Sequence, residues 1–440
     1  MRIGVIFALF FGALPALAKD LPPPVSDSDF QAVNLDEAKL GQLLFYDRIL
    51  SGNRNIACST CHHPRFATSD GLSLGIGEGG IDLGPQRHPD PADYPEQRIP
   101  RNATALFNLG AHEFKVLFHD GRIEADPTRP SGLRTPLEDE MVSGFASVLS
   151  AQTMFPVLSP DEMAGHYSEN DISTAVREGL ITGEGGAWDL ISRRVAALPE
   201  YQAMFAAVYP EIASGRKIAF TDISNAIAGF VAFEWRSDQS PFDAYLRGVG
   251  QLPPPALAGM TLFYGPAGCS ACHSGPFLTD QSFHAMGEPQ IGPGKAERFE
   301  SHSRDVGRMR VTNDPRDAYA FRTPSLRNVT ETGPWGHAGA WSDLTEFLLH
   351  HSNPGEGLAG FDRAEPVLPE MNVAKPDWVV LDSAEESDAI TAAAEKSSYH
   401  LGKAEAEDIR AFLLTLKDPV ALAGRLGIPD RVPSGLAVDR

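Results

Sequence analysis

All four cysteines of the chain fall in two five-residue runs, CSTCH (Cys58, Cys61, His62) and CSACH (Cys269, Cys272, His273). C-x-x-C-H is the attachment signature of a c-type haem. Two thioether bonds tether the porphyrin, and the next residue is forced under the iron as its proximal ligand. A redox dithiol has no need of the adjacent histidine, and a zinc site takes four ligands. Four cysteines in an exported protein would ordinarily pair as disulfides. Their placement argues instead for two covalently bound haem c groups.

A second histidine feature closes the segment SDLTEFLLHHS at 342–352. Neighbours on a helix point about 100° apart, so His350 and His351 cannot face the same place. Asp343 and Glu346 are spaced as N-cap and N3 of a helix. Leu344, Phe347, Leu348 and His351 then form one apolar stripe at i, i+3, i+4 and i+7. The stripe makes His351 the inward residue. His350 is expected on the other side, four after Glu346, within reach of that carboxylate.

The elements that must hold these residues read as follows. The chain has 440 residues, enough for two or three domains. Residues 1–18 carry one Arg, an apolar run and Ala16-Leu17-Ala18, the pattern of a signal peptide cleaved before Lys19. No later run is long enough to span a membrane. The haem motifs lie about 210 residues apart, as expected for one haem per domain. Residues 71–100 and 126–165 are rich in Gly or Pro and read as loop. Residues 171–248 carry helical patterns, ISNAIAGFVAFEW among them. The Pro253–Pro255 run is a stiff spacer before the second motif. In EAEDIRAFLLTL, Ile409, Phe412, Leu413 and Leu416 mark an amphipathic helix. The fold expected is mainly α, with two c-type cytochrome-like domains and long loops. The division expected is 19–165 for a first haem domain and 166–440 for a second, with a terminal helix near 404–417 packing across them.

Lys and Arg number 37 against 58 Asp and Glu, a net charge of −21. This opposes nucleic-acid binding, which needs a basic footprint. It suits either a partner with a basic face or plain solubility.

Together with RNATALFNL, FHDGR, PDEM, FRTPSLRNV and PWGHAGAWSDLTEF, the two motifs resemble the bacterial dihaem cytochrome c peroxidase/MauG superfamily. The resemblance runs from about residue 38 to 417, with the motifs in family order. It implies a periplasmic oxidoreductase with a high-spin haem that reacts with hydrogen peroxide. A second, six-coordinate haem relays electrons, and a calcium ion lies between the two. His62 would be the proximal ligand of the peroxidatic haem. Where many members carry a distal histidine this chain has Glu78, in GIGEG. A solvated loop carboxylate there implies an open iron, unless His63 or His88 blocks it. The distal acid/base pair carried over is Glu162 with Gln152 ten residues before it, Pro156 lying between; Asp161 is the lesser candidate.

His119 stands where the family usually has an inter-haem Trp, which puts a Trp relay at that position in doubt. Trp335 and Trp341 remain as local candidates. The calcium ligands implied are the Asn102 side chain and the backbone carbonyls of Thr332 and Pro334, an all-oxygen set. The family's distal ligand to the second haem falls fourteen residues after His337, which is His351. His273 and His351 would then ligate that iron. Histidine in place of methionine lowers the reduction potential. The partners implied are hydrogen peroxide and either an electron-donor protein (cytochrome c or cupredoxin) or a protein substrate whose side chains are oxidised, as by MauG and the MbnH-type enzymes. A non-enzymatic electron-transfer cytochrome is the competing class, and it would need both irons six-coordinate.

Overall fold

The computed structural model describes residues 21–296, 300–373 and 375–440. The expected signal peptide lies outside the described residues. No helix among those described is long and apolar enough to cross a membrane.

The first core is built on a crossing of two helices. Helix α1 (Leu35–Tyr46) starts at Asn34, whose side chain accepts from Asp36 N at 2.9 Å and Glu37 N at 3.4 Å. That satisfies two of the orphan donors of the first turn. Its buried Leu40, Leu44 and Phe45 meet Ile223, Ile227 and Phe230 of α4 (Phe220–Glu234). Gly41 permits the close approach, since a Cβ there would lie 1.8 Å from the Ala226 carbonyl oxygen. Phe45, Phe230 and Trp235 then form a ring cluster with centroids 5.2–5.3 Å apart. Helices α2 (Ala187–Ala196) and α3 (Pro199–Val208) bury Trp188, Ile191, Tyr201 and Phe205 in the same core.

This core therefore runs well past the boundary expected at residue 165. The helical patterns of 171–235 find their apolar partner in α1, upstream, rather than around the second haem motif. A break in composition at the loop 126–165 marked a long connection inside the first domain, not its end.

The second core joins α5 (Pro254–Phe263), α6 (Leu344–Ser352) and α7 (Lys403–Leu414). Gly259 again sets the distance: a Cβ would lie 1.8 Å from the Asp408 carbonyl oxygen. Phe263 and Phe412 pack at 5.2 Å. Helix α7 thus packs on its own domain and does not bridge the two, because Ile409, Phe412 and Leu413 are consumed by α5 and its neighbours. Arg327 and Asp243 form a fully buried ion pair here at 2.6 Å.

Residues 418–440 return to the first domain. Glu234 accepts from the backbone nitrogens of Arg425, Leu426 and Gly427 at 2.6–2.9 Å. Ser434 Oγ donates to Asp47 at 2.6 Å, and Arg431 pairs with Glu200 at 2.9 Å. Ala421 and Val432 belong to the first core.

Strand content is confined to three small sheets among the described residues. In one of them β3 (Val116–Leu117) and β4 (Ile123–Ala125) pair antiparallel and present the FHDGR turn between them. Arg101 ties this turn to the second domain. It is bidentate to Asp305 at 2.6 and 2.8 Å and reaches Asp120 at 2.7 Å.

Candidate active site

The two C-x-x-C-H motifs share one local geometry. Cys58–Cys61 is a single helical turn, and His62 N donates to Cys58 O at 3.0 Å. His273 N donates likewise to Cys269 O at 2.9 Å. Each following imidazole is locked through Nδ1: His62 donates to Thr68 O at 3.0 Å, His273 to Leu278 O at 3.1 Å. This fixes tautomer and orientation and leaves Nε2 as the free donor, which is how metal-ligating histidines are held. Burial lowers the pKa of both rings, so each stays neutral. None of the four cysteines is paired in a disulfide, which leaves both sulfurs of each motif for thioether bonds. The donor sets therefore fit covalent haem at both motifs.

Above the first motif, Glu162 sits in the short π-helical turn Pro160–Ala164. Burial raises its pKa, with Lys295 and Arg122 opposing. Its side chain is half-buried, and its charge is among those that raise the Cys61 thiol. Asp161 is held away by Gln97, which donates to it at 2.7 Å. Gln152 is the final residue of the helix Val148–Gln152, and its Oε1 is buried without a hydrogen-bond partner among the described residues. Trp188 Nε1 donates to Met154 O at 2.9 Å and anchors the segment between Gln152 and Glu162 to α2.

Glu78 corrects the sequence reading. It is not solvated: its side chain is buried, and it accepts from Asn53 Nδ2 at 3.0 Å and Asn55 Nδ2 at 2.5 Å. These amides offset the cost of desolvating a carboxylate. Gly77 lets the loop lie against the Glu162 turn, since a Cβ there would be 2.1 Å from Asp161 O. Glu78 N donates to Asp161 O at 3.0 Å. Arg87 pins the same loop by donating to the carbonyls of Ile76, Gly77 and Asp82. Of the two other histidines nearby, His88 is exposed, and His63 uses Nδ1 to cap the following turn, accepting from Arg65 N at 3.2 Å.

Between the motifs lies a group of rings and charges. His119 occupies the β3–β4 turn, and burial lowers its imidazole to about 3, with Arg101, His337 and Arg322 adding to the effect. His337 stacks on Phe321 with centroids 3.9 Å apart and planes 10° apart. It donates through N and Nδ1 to Glu288 Oε2 at 2.7 and 2.8 Å. Burial alone would raise Glu288, but the His337 bonds hold it near 2. Glu288, Phe321 and the Arg101 hub escaped the sequence reading. No local pattern singles out a buried Glu in a loop. Only the FR of FRTPSLRNV marked Phe321's neighbourhood.

At the second motif, α6 begins as expected. Asp343 accepts from Thr345 N at 2.7 Å and Glu346 N at 3.3 Å. His351 packs on Phe347 at 4.6 Å, and burial lowers it to about 4, with His350 and His273 in its field. His351 is half-buried and carries a neutral imidazole. His350 departs from expectation. It is only 2% exposed, stacked 5.0 Å from Trp341 and against Gly357, and it does not meet Glu346. Glu346 instead lies 3.8 Å from Lys403. Helix α6 is covered on a second side by the segment around Gly357 and Phe361, which a single apolar stripe cannot reveal.

Of the expected calcium ligands, Asn102 is held by hydrogen bonds of its own side chain and backbone. Asn102 Nδ2 donates to Leu72 O at 2.7 Å, which orients its amide. Asn102 N donates to His337 O at 2.9 Å, beside the turn that carries Thr332 and Pro334. Trp335 and Trp341 bridge that turn through paired backbone bonds of 2.7 and 3.3 Å.

Residues 36–251 match the di-haem cytochrome c peroxidase family. The chain belongs to this family. It is 29% identical over 326 residues to the methylamine utilization protein MauG of Methylorubrum extorquens, covering 73% of this chain and 70% of that one. It is 28% identical over 350 residues to the cytochrome c551 peroxidase of Pseudomonas aeruginosa, covering 79% and 81%. Among solved structures it resembles a MauG-like protein associated with microbial copper homeostasis at TM-score 0.57 and 27% identity, over 93% of this chain and 96% of that one. The fold also matches a dihaem peroxidase of Burkholderia thailandensis at TM-score 0.58 and 19% identity, over 93% and 91%.

Proposed function

We propose that the protein is a periplasmic peroxidase that takes hydrogen peroxide at the first haem and relays oxidising equivalents to the second. The observation that carries this reading is Glu162, half-buried in the Pro160–Ala164 turn, with its pKa raised by burial and its charge felt at Cys61 of the first motif. A carboxyl in that state can take the first peroxide proton and return it to the departing oxygen. Gln152 assists by orienting the peroxide. Cys58, Cys61 and His62 would hold the first haem, which would supply the electrons for breaking the O–O bond. The His119, His337 and Phe321 rings pack the space between the motifs, and the neutral His119 offers no charge to obstruct electron transfer. His273 and His351 ligate the second iron. Asn102, with the backbone carbonyls of Thr332 and Pro334, would hold a calcium ion beside the Trp335 turn.

The electron donor is a small redox protein, cytochrome c or cupredoxin. The second reading is oxidation of side chains on a partner protein. It is supported by the 27% identity to a MauG-like structure and by histidine, rather than methionine, at position 351. Glu162→Gln tests the first reading. It should preserve both haem spectra and slow peroxide cleavage by about 10²–10⁴-fold in stopped-flow mixing. Unchanged kinetics would remove Glu162 from the role. The diferric protein should react without prior reduction; an inert diferric form would mean both irons are six-coordinate.

A further inference from the structure

The peroxide chemistry makes no use of residues 425–440, yet the structure brings them to the first haem motif. Asp439, 6% exposed, lies against the two residues between Cys58 and Cys61. Its Oδ2 accepts from Thr60 Oγ1 at 2.6 Å and Ser59 Oγ at 3.4 Å. Its Oδ1 pairs with Arg48 Nη2. Thr60 Oγ1 in turn accepts from Ala57 N at 3.0 Å, so the carboxylate stands behind the hydrogen bond that starts the Cys58–Cys61 turn. Ser59 and Thr60 are buried. The charge of Asp439 also reaches Cys61 and helps raise its thiol.

The second motif is arranged differently: its nearby carboxylates, Asp280 and Glu395, act on Cys272 beside His284 and not on the two residues between the cysteines. There Ala271 is exposed, and among the described residues no carboxylate accepts from Ser270. The asymmetry has a structural source. The segment is held in place by Glu234, Asp47 and Glu200, so Asp439 is delivered by a fixed strap.

We propose that Asp439 is a positioning residue of the first haem, and rests there on that haem being bound at Cys58 and Cys61. It fixes the attachment turn through Thr60. As a buried anion at the attachment edge it also stabilises the oxidised iron, because ferric haem carries one more positive charge than ferrous. Arg48 works against it. The two residues set the potential of the first haem and leave that of the second alone.

Spectroelectrochemical titration of the dihaem holoprotein at pH 7 tests this. Asp439→Asn should raise the first haem's midpoint potential, and Arg48→Gln should lower it. Asp439→Glu should restore the wild-type value. The second haem should not move in any of the three. Thr60→Val keeps the charge and removes both bonds of the Thr60 hydroxyl, to Asp439 and from Ala57 N, so it should alter the first haem's spectrum with a smaller change in potential. An unshifted Asp439→Asn potential, shifts of the same sign for Asp439→Asn and Arg48→Gln, or equal shifts at both haems would overturn the assignment. None of these readouts depends on Glu162 or on peroxide. A protein lacking the first haem by mass would instead refute the attachment itself.

Discussion

Arg101→Met is the substitution with the largest consequence for the join between the two halves. Met has nearly the length of Arg but no charge. It would strand Asp120 and Asp305, both buried and both held well below the usual carboxylate range by the Arg101 guanidinium against the opposing effect of burial. Three hydrogen bonds of 2.6–2.8 Å disappear. Removing one partner of a buried pair costs about 3–5 kcal/mol, because the remaining charge is left in a poor solvent. Arg122 still reaches Asp120 at 3.1 Å, so Asp305 bears most of the loss. With a denaturant slope of about 5 kcal/mol per M guanidinium for a domain of this size, the midpoint should fall by about 0.5–1 M.

The pH dependence is the sharper test. In the wild type both carboxylates have depressed pKa values. Their stabilisation is fully present above the unfolded carboxylate pKa and is lost as pH falls through the folded one. In Arg101→Met, burial without the guanidinium raises Asp305, so this group's contribution is lost as pH rises instead. Between about pH 4 and 7 the wild type should be flat or gain stability with pH, and the variant should lose it. Adding Asp305→Asn should recover part of the loss and flatten the slope. Guanidinium titrations followed by tryptophan fluorescence at several pH values measure all three. A variant with an unshifted midpoint, or with the wild-type slope, would refute the claim that Arg101 neutralises these acids.

Three further outcomes follow from the site and the packing. His351→Ala should turn the low-spin haem high-spin by electron paramagnetic resonance, whereas His350→Ala should keep the spectrum but lower stability by about 2–4 kcal/mol, since it empties a ring packed on Trp341; a spectral change from His350→Ala alone would reverse the assignment. Gly41→Ala should destabilise the first domain by about 1–3 kcal/mol or more, because its Cβ would lie 1.8 Å from Ala226 O and the α1–α4 crossing must open; an unchanged unfolding midpoint would count against that crossing. Intact mass of protein matured with haem attachment should exceed the chain by two haem groups, and a mass matching two disulfides would exclude haem at these motifs.

Chemistry carried by contiguous residues was legible in the sequence. The C-x-x-C-H runs and the Asp343 cap each depend on spacing within about one helical turn or two. The apolar stripe singled out His351 as inward, yet His350 is the more buried of the two. Glu162 and Gln152 were assigned only through the resemblance, since a Glu in a Pro-rich loop has no local signature of such a role. What failed was environment. Glu78 reads as a solvated loop charge until Asn53 and Asn55 are seen to hold it. His350 reads as a surface residue until the second cover of α6 is in place. The domain division failed for a related reason: α4 carries the right period, but period does not say which helix it will meet. The segment 418–440 has no period to read, and its hold on the first domain combines buried Ala421 and Val432 with bonds to Glu234, Asp47 and Glu200.

That segment also constrains the order of assembly. Asp439 and Thr60 are separated by 379 positions, with the entire second domain between them. A chain that emerges N-terminus first can form α1 and α4 early, but it cannot finish the first domain until the second has been synthesised. Contacts of such separation are slow to close. During that interval the Cys58–Cys61 turn has no strap over it, and the thiols are open to the machinery that attaches haem. Asp439 can seat only after that interval, so the topology of the chain leaves the attachment turn uncovered until the last residues arrive.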